Sequence, residues 1–217
     1  MTTGRADDKP FDGYSDLLTG QLSEVEIELA VAGFAALWND NAVRPERLVP
    51  RAASSAREVA ATLVQRGGAE LDDRGRLVGI HGLTLRPTRH HFEHNGRLHH
   101  TWCAFDAVAI PGALGITAVA YSDCPSCRDQ LRVDIRGGVP TDKTLVLWLP
   151  MMTSGNHLMS DFCVSADVFC SLDHLQRHID TGATPGEVID LATTAALGRD
   201  IWSDVADAPL APDTAPR

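Results

Sequence analysis

No segment of this 217-residue chain approaches the roughly 18 consecutive apolar positions that a membrane-crossing helix needs. Met1 to Phe11 is polar and mixed in charge, without the apolar centre of a secretory signal. Positive charge is scarce: 19 Lys and Arg stand against 29 Asp and Glu, a formal balance of −10. Such a balance argues against nucleic acid or an anionic membrane as the main partner. There is no Gly-x-Gly-x-x-Gly, no Walker loop and no Gly-x-Ser-x-Gly, so nothing points to nucleotides or to a serine nucleophile. Internal repeats and low-complexity blocks are missing too. The five cysteines are an odd count, and they fit the reduced thiols of a cytoplasm better than a disulfide framework. With 44% hydrophobic and 22% charged residues, the chain can bury a sizeable core.

The pattern along the chain divides in two. Residues 1–20 and 205–217, rich in Gly, Pro, Asp, Thr and Ala, read as loose tails. Residues 21–80 read as a winged-helix-like module. Ser23 and Glu26 form a capping box before the apolar-periodic run Val25 to Trp38. Ser55 and Glu58 repeat that device before a second helix that Gly67 is placed to end, and Leu71 to Leu77 reads as a hairpin. Residues 81–204 read as a second, mostly antiparallel sheet domain with flanking helices, making the whole α+β. Within it, Asn95-Gly96 marks a tight hairpin, and Ile116–Tyr121, Leu131–Ile135 and Leu145–Leu149 read as strands. A further strand is expected over Phe162–Phe169. Helices are expected at Ala104–Leu114, at Asp173–His178 after Ser171, and from Thr184-Pro185 to about Gly198.

The residues that carry chemistry are sulfur and carboxylate. Cys103 and Asp106 lie three apart, and Cys163 lies sixty positions downstream. Thiolates select soft metal ions, and a carboxylate can move a proton beside them. A cysteine in the first turn of a helix meets the positive end of the dipole, which favours thiolate, and Asp106 would share its face. Against this stands the plainer reading, a buried structural cysteine with an aspartate that merely suits the dipole, and spacing alone favours it. Strand alternation would put Cys163 and Cys170 on opposite faces, so one of them is expected in a shared pocket and Cys170 is expected in the sheet core. Cys124-Pro-Ser-Cys127 reads as a redox pair or half of a zinc knuckle. With no second pair at matching spacing, a zinc ribbon is not expected. His90, His91, His94, His99 and His100 cluster on the Asn95-Gly96 hairpin, where they are expected to be solvated rather than metal-bound. Between Arg44 and Arg76, seven arginines face five acidic residues. The candidate recognition helix near Ser55 to Gln65 has only Arg57, matched by Glu58, so the module reads as a packing element.

Three blocks resemble the organomercurial (alkylmercury) lyase family: Gly82-Leu-Thr-Leu-Arg-Pro-Thr-Arg-His-His-Phe92, Trp102-Cys-Ala-Phe-Asp-Ala-Val-Ala-Ile-Pro111 and Asp161-Phe-Cys163. They occur in the family's order and at similar spacing, within a likeness that runs from about Glu24 to Gly198. By that resemblance, Cys103, Asp106 and Cys163 are the catalytic residues and the groups that hold mercury, and Cys124 has a structural role. The resemblance implies protonolysis of R–Hg–X to R–H and Hg(II), with no organic cofactor. Exogenous thiols or a mercuric reductase would take the ion. Cys127 and Cys170 are additions to the family pattern. Val164-Ser-Ala-Asp167 replaces a histidine-rich stretch, and the loop Met151 to Ser160 diverges. The alternatives are a non-catalytic soft-metal (Hg, Cu or Zn) binder and a winged-helix metal-responsive regulator. Trp102, Phe105 and neighbouring aliphatics are expected to hold the organic group.

Overall fold

The computed structural model describes residues 23–152 and 157–206. Helix α1 spans Glu24–Trp38 and begins at the expected capping box. The Ser23 hydroxyl accepts the Glu26 N–H at 3.3 Å, and the Glu26 carboxylate accepts the Ser23 N–H at 2.7 Å. Its buried face carries Leu29, Phe34, Leu37 and Trp38. A four-residue helix α2, Pro45–Leu48, and a 3-10 turn, Pro50–Ala52, run straight into α3, Ala53–Gln65. Ser55 is therefore inside α3 rather than at its cap. The preceding turn already supplies the helical entry, and Ala52 at the N-cap offers no side-chain acceptor.

Strands β1, Ala69–Leu71, and β2, Leu77–Ile80, form the hairpin, with the Asp72 carboxylate accepting the Arg74 and Arg76 N–H groups. That hairpin does not stand apart, because β2 pairs with β3, Leu83–Thr84. Next come β4, His91–His94, and β5, Arg97–Thr101, joined by Asn95 and Gly96 at φ 49° and 74°, the left-handed pair the turn requires. Helix α4 spans Ala104–Ala113 and is followed by β6, Ala118–Asp123, β7, Gln130–Arg136, and β8, Val139–Pro140. All pairings are antiparallel, in the order β1-β2-β3-β5-β4-β6-β7-β8.

Strand β9, Val146–Pro150, is the centre of a second, three-stranded sheet. The run expected as one strand over 162–169 splits. Leu158–Cys163 is a π-helical turn, and only Asp167–Phe169 (β10) pairs with β9. Local side chains favour the turn over extension, since the His157 ring accepts the Ser160 N–H and the Asp161 carboxylate accepts the His157 N–H. Helix α5, Leu172–Asp180, is capped by Ser171 as expected. The segment after Pro185 is first a strand, β11, Gly186–Asp190, that pairs with β9. Helix α6 begins only at Leu191 and runs to Ile201, because the Asp190 carboxylate accepts the Thr193 N–H at 2.6 Å and caps it there. Helix α7, Ser203–Ala206, holds the first residues of the expected C-terminal tail; residues 1–20 and 207–217 lie outside the described part. No described helix is long and apolar enough to cross a membrane.

Helix α4 is the hub. Nine successive residues, Ala104 to Gly112, are buried, so it is covered on every face. It packs on the large sheet and on α6 through a seam of small residues. A Cβ on Gly112 would lie 2.7 Å from the Ala195 Cβ, and one on Gly198 would strike the Ala109 backbone. Close approach of the two helices fixes where the N-terminus of α4 points. That end carries the site.

Candidate active site

Cys103 is the N-cap residue of α4, in extended conformation, and Asp106 is one turn further on. The Cys103 Sγ–H donates to Asp106 Oδ2 at 3.2 Å. Cys163 ends the π-helical turn, in which the Val164 N–H reaches the Met159 carbonyl. Such turns gather at functional sites because the extra residue re-aims a side chain. Here it turns Cys163 toward Cys103. The two sulfurs and one Asp106 oxygen all lie within 4.8 Å of one another. Two contacts lock the segments together: the Ala104 N–H donates to the Ala166 carbonyl at 3.2 Å, and Phe105 meets Phe162 edge-on at 5.8 Å. The three residues expected to act as a unit do converge. The strand-alternation argument for separating Cys163 from Cys170 does not apply, since Cys163 is not in a strand, yet Cys170 does lie elsewhere.

Burial sets the protonation states. Cys103 is 0% exposed, Asp106 5% and Cys163 6%. Desolvation raises the Asp106 pKa to about 7, against an opposing hydrogen bond from Cys103. The same desolvation pushes the Cys103 thiol well up, helped by its contacts with Cys163 and Asp106. This reverses the expected thiolate: the helix dipole is outweighed by loss of water and a neighbouring acid. For Cys163, the hydrogen bond with Cys103 favours the thiolate, but burial and the Asp106 charge leave its pKa raised. The resting site is thus two thiols around a carboxyl poised between its two forms.

An apolar recess opens onto Asp106 and Cys163, walled by Trp102, Phe105, Leu158, Phe162, Ile201 and Trp202. Trp102 and Phe105 stand where expected. Ile201 and Trp202 come from the far end of the chain and had no local signal. The Trp102 indole N–H is held by Glu70 at 2.7 Å, and that of Trp202 by the His81 carbonyl at 2.9 Å. Gly82, which opens the first of the three motif blocks, has a role at the acid. It adopts φ +79°, and a Cβ there would sit 2.7 Å from the Asp106 carboxyl carbon. Its missing side chain leaves room for the acid. A second opening, past Arg86, Pro87 and Thr88, reaches Cys163 from the other side.

The hairpin histidines are less solvated than expected. His99 is buried because β5 is an interior strand of the sheet, and His90, just ahead of β4, is buried with its Nδ1 2.7 Å from the Ser122 hydroxyl. His99 stacks on Trp38 at 4.2 Å, and burial pushes the His90 pKa down to about 3. Among the described residues, these histidines form no convergent metal-ligand group.

A family model for MerB, alkylmercury lyase, matches residues 83–203, more than half of the chain and all three site residues. The chain belongs to the alkylmercury lyase family. The alkylmercury lyase of Bacillus cereus is 29% identical over 145 residues, covering 65% of this chain and 66% of that one, a shade under two thirds. That of Streptomyces lividans is 29% identical over 162 residues, 73% of each chain. That of Pseudomonas putida is 44% identical over 70 residues, 32% of each. A crystal structure of the mercury-bound form of MerB2 superposes with a TM-score of 0.80 at 20% identity, over 89% of this chain and 97% of that one. This last likeness supports the α+β fold described above.

Proposed function

We propose that the protein cleaves the carbon–mercury bond of organomercurials by protonolysis, R–Hg–X giving R–H and Hg(II), with Cys103, Asp106 and Cys163 as its catalytic residues. The observation that carries this reading is the convergence of two sulfurs and one carboxylate oxygen within 4.8 Å, buried at the end of an apolar recess. Membership in the lyase family supports it independently. One sulfur displaces X from mercury, and its proton leaves with X. The second sulfur then binds the same mercury, and its proton is the one that ends on carbon. Asp106 is hydrogen-bonded to Cys103, and its pKa of about 7 suits a group that must accept a proton and release it in turn. The apolar recess would hold R beside the acid. The product is Hg(II) bonded to both sulfurs, and no organic cofactor is required.

Because both thiols are then occupied, turnover needs an outside acceptor. We assign that role to small thiols or a mercuric reductase, approaching by the opening at Arg86, Pro87 and Thr88, as in a reducing cytoplasm. The buried acid weighs against a passive soft-metal binder, which has no use for a proton carrier. The regulator alternative is disfavoured by the paired state of Arg57, the one cation on α3, which donates to Glu46 at 3.3 Å. The deciding test is incubation of purified protein with an arylmercurial and excess thiol. Free arene supports the proposal; mercury retention with no arene above a protein-free control defeats it.

A further inference from the structure

A second sulfur cluster lies apart from the reaction site. Cys124 and Cys127 stand on the turn between β6 and β7, and Cys170 and His174 flank the start of α5. Their ligand atoms all lie within 4.8 Å of one another. The Cys124 sulfur is 3.5 Å from His174 Nδ1, Cys127 Sγ is 3.8 Å from Cys170 Sγ, and Cys170 Sγ is 2.9 Å from His174 Nδ1. The sequence offers Cys124-x-x-Cys127 no second Cys-x-x-Cys pair. The fold supplies one as Cys170-x-x-x-His174, a mixed spacing that a search for another Cys-x-x-Cys passes over.

We propose that Cys124, Cys127, Cys170 and His174 form a structural Cys3His zinc site that staples the β6–β7 turn to the start of α5. Tetrahedral zinc with bonds of about 2.3 Å to sulfur and about 2.0–2.1 Å to nitrogen sets neighbouring ligand atoms about 3.5–3.8 Å apart. Two of the three contacts already have that length, and the Cys170–His174 contact needs to widen by only about 0.6–0.7 Å. The surroundings are those of a thiolate site. His174 Nδ1 lies within hydrogen-bond reach of both the Cys124 and the Cys170 sulfur. The turn is fastened by the Arg128 N–H to the Cys124 carbonyl at 2.8 Å and the Cys124 N–H to the Asp129 carbonyl at 2.9 Å. Arg128 itself is held in the left-handed region at φ 65°. The Ser126 hydroxyl reaches across to the His174 carbonyl at 2.8 Å, so the two halves are also joined outside the ligand set.

Four protein ligands leave no open coordination position, which separates a structural site from a water-activating one. Cys124 is buried and the other three are half-buried, so an ion can reach the site from solvent. The consequence for the rest of the molecule is positional. Cys170 directly follows β10, the strand that leads out of the segment carrying Cys163. A staple at Cys170 therefore fixes the far end of that segment.

The test uses the full chain purified with its thiols reduced. Elemental analysis after dialysis against zinc should find one zinc per chain, in the natural protein and in Cys103→Ser/Cys163→Ser alike. Cys170→Ser/His174→Ala should retain less than a tenth of it. Cobalt(II) loading should give intense visible bands and sulfur-to-cobalt charge transfer, bleached by zinc. The cobalt spectrum of the natural chain decides the matter even if the Cys170→Ser/His174→Ala protein folds poorly. Weak octahedral cobalt absorption, zinc that survives loss of Cys170 and His174, or a Cys127–Cys170 disulfide in protein isolated from reducing cells would each overturn the assignment.

Discussion

The molecule holds two sulfur clusters, and their differences follow from where the chain puts them. Cys103, Asp106 and Cys163 gather at the end of a fully buried helix, beside an apolar recess, with two sulfurs and one acid. Cys124, Cys127, Cys170 and His174 gather at a sheet turn near the surface, with four soft ligands and no acid among them. The first set leaves room on a metal for carbon and keeps a proton at hand. The second can close around an ion but has nothing to offer a substrate. Ligand number and the presence of a titrating neighbour, rather than cysteine content, separate a reaction site from a staple.

The largest expected effect falls on the first cluster alone. Cys103→Ser or Cys163→Ser should abolish hydrocarbon release from an organomercurial, measured in the headspace. Cys170→Ser should reduce it far less while lowering the thermal midpoint. Equal losses in all three would erase the distinction between the clusters. Next, Asp106→Ala should still bind the organomercurial but turn over about 10²–10⁴-fold more slowly. Undiminished release would remove Asp106 from the proton path. Gly82→Ala tests the cradle around that acid. It places a methyl against the carboxyl and forces a side chain into φ +79°. A stability loss of about 1–3 kcal/mol is expected, together with a fall in turnover. If the variant keeps both stability and turnover, the glycine has no such role.

What the sequence revealed depended on whether the signal was local. The Ser23–Glu26 capping box, the Asn95-Gly96 hairpin and the Ser171 cap are short-range devices, and each formed as read. Residues 162–169 and 184–190 were misread because tertiary and side-chain hydrogen bonds decided them. The π-helical turn is held by His157 and Asp161, and β11 exists because β9 offers it an edge. The grouping of Cys103, Asp106 and Cys163 was legible because motif blocks carried it. Trp202, Gly82 and the pairing of Cys170 with Cys127 were not legible, since each matters only through a partner dozens of residues away. The direction of the Cys103 shift failed for a related reason. The helix dipole can be read from a cap position, but complete burial cannot.

The effect most specific to the buried acid is on stability rather than on turnover. In the native state Asp106 holds its proton to about pH 7, whereas the unfolded carboxyl titrates near its ordinary value of 3.8. Below about pH 4 both states are protonated and the group costs nothing. Between about pH 4 and 7 the unfolded chain releases a proton that the native chain keeps, so native stability declines as pH rises and levels off above about 7. Asp106→Asn has no such titration. Its denaturation midpoint should therefore match that of the natural protein most closely near pH 4 and pull ahead as the pH approaches 8. Asp167, raised by burial to about 6, is present in both proteins and drops out of the difference. Parallel pH profiles for the Asn variant and the natural protein would mean that Asp106 is hydrated in solution. The proton relay would then lose the poised acid on which it depends.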